Sequence, residues 1–290
     1  MRYAFIAAEK ANYPVRLMCR VLLVSRSGYY ARQGRDESLR SRSDVLLLTQ
    51  IRSVHRASRG TYGSPRVCRD LRAEGIVCSK KRIARLMRIE GIRARKALFR
   101  KWTTKPDRSR IAAPNRLAQD FEAKQPNKKW VADITYLHTR EGWLYLAVVL
   151  DLFSRRVVGH ATSMLIDTEL VLRALRHALG SRRPTPGLVH HSDRGSQYTS
   201  DDHIEELRSA GIIVSMSGTG NCYDNAVAES FFATIKTEEL YHRRFATRAE
   251  ATTAIFDYIE TFYNSRRLHS TLGYLSPMQF EALHKPRRAA

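Results

Sequence analysis

Trp130-Val131-Ala132-Asp133-Ile134-Thr135-Tyr136-Leu137 is a β-branched and aromatic run broken by one acid, and its reading decides the fold. Such a composition predicts a strand. A charged residue inside it carries a desolvation cost unless something compensates, so Asp133 asks for an explanation. Two further runs follow at once. Trp143 to Leu150 is almost continuously apolar and Arg155 to Ala161 is a third run, each reached through a short polar turn. Strands joined so closely predict an antiparallel meander. The period then changes: Asp167 to Leu179 sets Leu170, Val171, Ala174, Leu175 and Ala178 on one side of a helix. Strand Gly187 to His191, helix Ser200 to Ala210 and strand Ile212 to Met216 follow. A meander followed by alternating helix and strand predicts a mixed-sheet α/β domain with helices on its faces.

Two more acids stand where such a sheet binds ligands. Asp193 follows the strand ending Leu188-Val189-His190-His191-Ser192, at the carboxyl edge that open α/β sheets use for binding. Glu229 lies in Asn225 to Lys236, helical through Ala228, Phe231, Phe232 and Ile235. Asp133, Asp193 and Glu229 could converge, and hard oxygen donors suit Mg²⁺ or Mn²⁺. Zinc is disfavoured because Cys19, Cys68, Cys78 and Cys222 form no Cys-x-x-Cys pair and have no histidine at ligand spacing. All four read as small core or surface residues. Asp151 also ends a strand, and the residues alone do not rank it below Asp133.

The chain has 290 residues, 43% of them apolar, which is enough for buried cores. Its 50 Lys and Arg against 28 Asp and Glu give +22, pointing to a polyanionic partner, nucleic acid first. The charge is uneven: residues 1–126 hold 30 basic and 10 acidic residues, and residues 127–290 hold 20 and 18. This suggests a DNA-gripping N-terminal part joined to a body rich enough in acids to include a functional cluster. Val15 to Tyr30 reads as two short helices with a turn near Val24-Ser25, the second capped by Ser25 or Ser27. Arg59 to Gly91 is a better helix-turn-helix candidate. Val67, Cys68 and Leu71 line a helix ending at Gly75, and Ile83, Leu86 and Met87 share a face of a second helix from Ser79 to Gly91. Lys81, Arg85 and Arg88 fall on the opposite face, as a recognition-type helix presents cations to phosphates. The expected domains are a helical region over 1–57, a basic helix-turn-helix-like domain over 58–100, a linker over 101–120 and a catalytic core over 121–284. No window reaches the roughly 18 apolar residues of a membrane span, and Glu9, Asn12 and Arg16 interrupt any signal-like start. A cytoplasmic, nucleoid-associated protein is expected.

The motifs WVADITYL, VHHSDRGSQYTS and GNCYDNAVAESFFATIKTE, with 35 residues between Asp193 and Glu229, resemble the DDE signature of the retroviral-integrase and transposase superfamily. YGSPRV, KKRIARLMRIEGI and the ending YNSRRLHSTLGYLSPMQF further resemble the OrfB-type transposases of the insertion-sequence-three group. The resemblance spans nearly the whole chain. It implies an RNase H-like catalytic domain behind helical DNA-binding segments, with Asp133, Asp193 and Glu229 as a metal-binding triad for two Mg²⁺ or Mn²⁺ ions. It also implies metal-dependent strand cleavage followed by attack of the freed 3′-hydroxyl on another phosphodiester, without a covalent protein–DNA intermediate. Lys236 matches a basic position on the Glu229 helix, two turns on and on the triad's side, where it would touch DNA. His55 without paired cysteines cannot form the zinc module of retroviral integrases. No heptad stretch is present, so the chain is expected to be the downstream product, with an upstream OrfA-type protein as fusion or partner and a homo-oligomer assembled on DNA.

Arg194 and Gln197, beside Asp193, are placed to contact DNA, although a turn through Gly195 explains much of that stretch. His190 and His191 read as strand-end residues touching backbone or solvent. Ser217 to Asn221 reads as an active-site loop, with Tyr223, Asp224 and Asn225 capping the next helix. Given the resemblance, the residues FSRRVV after Asp151 mark it as a turn acid. Ala249 to Tyr263 predicts an amphipathic helix with Ile255, Tyr258, Ile259 and Phe262 inward. The cations of Asn264 to His269 either bind DNA or cap that helix. Trp102, Trp130 and Trp143 read as packing residues. Two other functions fit parts of this pattern: a catalytically silent DNA-binding regulator, opposed by the intact acids, and a stand-alone RNase H-like nuclease, opposed by the basic N-terminal part.

Overall fold

A computed structural model of the chain describes residues 2–33, 38–95, 113–218 and 225–284. It divides into two compact units, residues 1–52 and 53–290. In the first, helices α1 (Arg2–Glu9), α2 (Val15–Val21) and α3 (Arg26–Gln33) close around Ile6, Met18, Cys19 and Tyr29. Ser25 caps α3, its Oγ accepting from Gly28 N at 3.2 Å. Helix α4 (Leu39–Ala57) continues the chain across the division.

The second unit opens with α5 (Ser64–Ala73) and α6 (Lys80–Ile89). Val67, Cys68 and Leu71 of α5 and Ile83, Leu86 and Met87 of α6 are buried, which leaves Lys81 and Arg88 exposed and Arg85 half-buried. Ser79 caps α6 by accepting from Arg82 N. Gly75 follows α5 at a φ of +83°, a backbone conformation that glycine adopts without strain.

The sheet follows the expected plan. Strands β1 (Lys129–Thr139), β2 (Gly142–Asp151) and β3 (Val157–Ser163) form the antiparallel meander, and β4 (Val189–Ser192) and β5 (Ile213–Met216) add in parallel, giving the order β3-β2-β1-β4-β5. Helices α7 (Thr168–Arg182) and α8 (Asp201–Ser209), capped by Asp167 and Ser200, connect the later strands. One face buries Trp130, Ala132, Ala147, Val149 and Val158 against Leu170, Ala174, Leu175 and Ala178 of α7. Gly159 permits that approach: a Cβ there would lie 2.2 Å from the Ala174 carbonyl oxygen. Helices α9 (Ala226–Glu238), α10 (Arg248–Asp257) and α11 (Pro277–Leu283) complete the unit.

The helix predicted over 249–263 is α-helical only to Asp257; Tyr258–Tyr263 is a π-helix. Thr261 Oγ1 donates to the Asp257 carbonyl at 2.6 Å, taking up an acceptor that an α-turn would use. The four inward residues are all buried, as expected. Of the expected linker, residues 101–112 lie outside the described residues. Within 113–120, Leu117 is buried and Arg116 N donates to Ser215 Oγ of β5 at 2.9 Å. Cys19, Cys68 and Cys78 are free and buried, while Cys222 and Trp102 lie outside the described residues. Among the described residues no helix is long and apolar enough to cross a membrane.

Candidate active site

The strand register brings two of the acids together. β1 pairs in parallel with β4 only over Lys129 to Val131 against Val189 to His191. Asp133 is two residues beyond Val131 and Asp193 two beyond His191, so the acids leave adjacent strands at the same level, where neighbouring strands lie about 4.8 Å apart. Each accepts from a nearby backbone N–H: Ile134 N, the next residue of β1, to Asp133 Oδ1 at 2.8 Å, and Gly195 N, in the turn after β4, to Asp193 Oδ1 at 2.9 Å. Gly195 has little room for a side chain, since a Cβ would lie 3.0 Å from that same Asp193 oxygen.

The third acid arrives on α9, seated by the buried residues Ala228, Phe231, Phe232 and Ile235. Glu229 is in its first turn, exposed. Asn225 was expected to cap this helix and does not: its side chain is buried and Nδ2 donates to the Ala132 carbonyl at 3.3 Å, tying the helix start to the residue before Asp133. Tyr223 and Asp224 lie outside the described residues, as do residues 219–221 of the expected loop.

The electrostatics bind the four groups together. Burial raises the Asp133 pKa well above the carboxylate range; the Asp193 and Glu229 charges raise it further, and the Ile134 N–H and Lys236 oppose. Burial raises Asp193 against the Gly195 N–H, and partial desolvation of its carboxyl raises Glu229 although the residue is exposed. Burial lowers the Lys236 pKa, with Asp133 working in the other direction. Lys236 thus stands on the acids' side of α9, with Nζ 5.5 Å over the Tyr136 ring. Among the described residues no three His, Cys, Asp or Glu side chains are grouped so as to hold a metal ion.

The neighbouring residues take structural roles that the sequence did not show. Arg194 Nε donates to the Ser217 carbonyl at 2.7 Å, and Gln197 Nε2 donates to the Ile166 carbonyl at 3.2 Å, bracing the turn after Asp193. His190 and His191 do not face solvent. Both rings are buried: His191 hydrogen-bonds Ser215 Oγ at 2.9 Å and Ser217 Oγ at 3.2 Å, and His190 stacks edge-on to His203 of α8 at 5.5 Å. Burial pushes the His190 pKa well down, leaving the ring neutral. Asp151 is a structural acid that accepts from Asn127 N at 2.7 Å and Phe153 N at 2.9 Å and pairs with Arg182. Arg267, expected with its neighbours either to bind DNA or to cap the helix, is instead buried against Glu238, with Nη2 to Oε1 at 2.6 Å. Trp130 is a packing residue, whereas Trp143 is 47% exposed.

Sequence reading missed two groups. Tyr198 is buried beside the acids, and its pKa is raised well above the usual value by burial and by the Asp133 and Asp193 charges. Its place five residues after Asp193 was the available signal. Glu238 anchors the far end of α9, and no local pattern marked it.

The sequence is similar to known families. Residues 123–222 and 229–283 each match an integrase core domain, and residues 42–98 match an HTH-like domain. The "Insertion element IS600 uncharacterized 31 kDa protein" of Shigella sonnei is 44% identical over 263 residues, covering 91% of this chain and 97% of its own. "Transposase InsF for insertion sequence IS3A" of Escherichia coli (strain K12) is 40% identical over 289 residues, covering 97% of this chain and 98% of its own. The HTLV-2 integrase catalytic core domain in complex with magnesium is 19% identical, covers 55% of this chain and 99% of its own, and superposes with a TM-score of 0.45. With integrase-core and HTH-like domains in sequence and two-fifths identity to InsF over almost the entire length, the chain belongs to the IS3 family of transposases.

Proposed function

We propose that Asp133, Asp193 and Glu229 carry the strand cleavage and strand transfer of this transposase. The observation that supports this most is that all three acids have raised proton affinity and that two of them act on Asp133, against which the nearby positive charge is Lys236. Carboxylates short of positive charge are the donors a hard divalent cation takes, so by chemistry these side chains suit Mg²⁺ or Mn²⁺, two ions, although among the described residues the three are not drawn together as a ligand set. When bound, such ions neutralise the acids and stabilise the charge that develops on a phosphodiester.

The chain's own groups do the positioning. The Ile134 and Gly195 N–H groups orient the strand carboxylates, and α9 supplies Glu229 from across the crevice. Lys236 offers a cation to a DNA phosphate at the border of the site, and Arg194 and Gln197 contact the strand beside Asp193. Water and then a DNA 3′-hydroxyl attack the phosphodiester, the 3′ oxygen leaving, so no protein nucleophile is needed. Lys81, Arg85 and Arg88 hold phosphates along α6, within a DNA-binding domain over 58–100 that residues 101–120 link to the core over 121–284. An OrfA-type protein joins the chain as fusion or partner. The assembly on DNA is a homo-oligomer acting in the cytoplasm at the nucleoid.

The test is a Mg²⁺- or Mn²⁺-dependent cleavage and joining assay on DNA carrying the element's own ends, comparing wild type, Asp193→Asn and a fusion to the upstream protein. Joined products that vanish in Asp193→Asn are expected. Products that persist in Asp193→Asn would overturn the assignment of the acids.

A further inference from the structure

Three to five residues beyond Asp133 on β1, and at the start of β2, lies an aromatic cluster to which the proposed function gives no role. Directly opposed residues of antiparallel strands share a face, and the register opposes Tyr136 to Tyr145 and His138 to Trp143. The Trp143 indole is fixed in place: Tyr136 stands against it at 5.2 Å and 89°, and His138 at 5.1 Å and 85°. Nearly half of its surface nevertheless remains exposed. Met164, Leu165 and Ile166, just past the end of β3, are exposed too, and since Ser163 pairs with Tyr145 the chain leaves β3 beside Trp143.

Cations border this apolar surface. Lys236 Nζ lies over the Tyr136 ring, and Arg248 Nε donates to the Trp143 carbonyl at 3.0 Å. Lys236 also acts on Asp133, so the cluster and the acids share a border residue.

We propose that Trp143, buttressed by Tyr136 and His138, is a stacking platform for an unpaired nucleotide base at the DNA end. A flat π-surface edged by cations matches a ligand with a flat face and an anionic backbone, which an apolar peptide lacks. Stacking on an aromatic side chain is tolerant of base identity and is worth about 1–3 kcal/mol per base. The location rests on the reading of Asp133 as part of the active site; the binding itself does not, and it is measurable without catalysis.

Two DNA probes test this, a duplex with unpaired nucleotides at one end, bearing 2-aminopurine there, and the same duplex blunt. Both are titrated against the full chain at one salt concentration without Mg²⁺ or Mn²⁺. Wild type should quench the 2-aminopurine and prefer the unpaired end. Trp143→Ala should lose about 10-fold of that preference, and Trp143→Phe should retain most of it. The readout is the ratio of the two affinities, which a smaller folded fraction leaves unchanged because it lowers both alike, and a circular-dichroism melt confirms that Trp143→Ala is folded. A ratio unchanged in Trp143→Ala, or absent in wild type, overturns the platform. Asp193→Asn with normal quenching but no joined products would separate this inference from the assignment of the acids.

Discussion

Truncating Glu238 tests how α9 is held. Glu238 is buried in the last turn of that helix and grips Arg267 twice, Nη2 to Oε1 at 2.6 Å and Nε to Oε2 at 2.8 Å. Its Oε2 also accepts from the Tyr258 hydroxyl at 2.7 Å, and Oε1 lies 3.8 Å from Arg66 Nη1. Burial alone would lower the Arg267 pKa, and the carboxylate outweighs it, keeping the guanidinium firmly charged. Glu238→Ala leaves that charge enclosed without a partner. Breaking a buried pair from one side costs about 3–5 kcal/mol, and the orphaned Tyr258 hydroxyl adds about 1 kcal/mol. We therefore expect a loss on the order of 4 kcal/mol in urea unfolding, read at an unchanged denaturant slope. Glu238→Leu combined with Arg267→Met removes both charges and should recover most of it, because well-packed apolar replacements of buried pairs are often neutral. A single variant costing under about 1 kcal/mol, or a double variant no better than the single, would refute the reasoning.

Other perturbations follow from the same geometry. Asp133→Asn should abolish joining yet raise the melting temperature at neutral pH, because a raised pKa means that the ionised carboxylate destabilises the fold; divalent metal should stabilise wild type in a thermal melt and leave the variant unmoved. Gly159→Ala should cost about 1–3 kcal/mol or more, since its Cβ would meet the Ala174 carbonyl oxygen and the Ala178 Cβ at 2.2 and 2.7 Å, measurable by the same unfolding curve. Burial works to raise the Glu281 pKa, but bonds from Arg182, Ser154 and Arg156 hold it below its ordinary 4.5; a depressed carboxylate pKa gives stability that is present above the unfolded value and lost as pH falls through the folded one, so acid unfolding of Glu281→Gln should lack this component below about pH 4.5. Lys81→Ala and Arg88→Ala should each weaken binding to any DNA sequence and lower the salt slope of log affinity by about 1.

Much of the catalytic unit was legible because its signals are local. The meander and the alternating helices, with starts read at Asp167 and Ser200, rest on neighbours within a few positions, as does the Ser25 cap of α3 in the first unit. Asp133 was legible because an acid inside an apolar strand has few structural explanations. Asp151 shows where such reading stops: its partners are Asn127, Phe153 and Arg182, and the first and last are 24 and 31 positions away. Only the family resemblance ranked it below Asp133. Arg267 was misread for the same reason, since Glu238 lies 29 positions upstream. The histidines of β4 were misread because the groups that surround them, Ser215, Ser217 and His203, are 13 to 26 positions away and no local pattern announces them.

One helix contributes an acid to each of the two unusual charge clusters. Near its start α9 carries Glu229, whose charge adds to an acid group short of cations, and nine residues on, about 14 Å at 1.5 Å per residue, it carries Glu238, whose charge is fully matched. The matching cations come from both directions of the chain. Arg267 follows the π-helix, whereas Arg66 of α5 reaches Glu238 and Arg95 after α6 donates to its carbonyl, and Arg59 pairs with the adjacent Glu239 and with Asp257. Tyr62 adds a hydroxyl that donates to the Arg266 carbonyl and accepts from Leu268 N. The helical segment that carries Lys81, Arg85 and Arg88 is therefore fastened to the far end of the helix that carries Glu229. An acid group that destabilises the fold when ionised needs a support that does not yield to that repulsion, and a helix pinned at its far end by buried, mutually satisfied charges provides it.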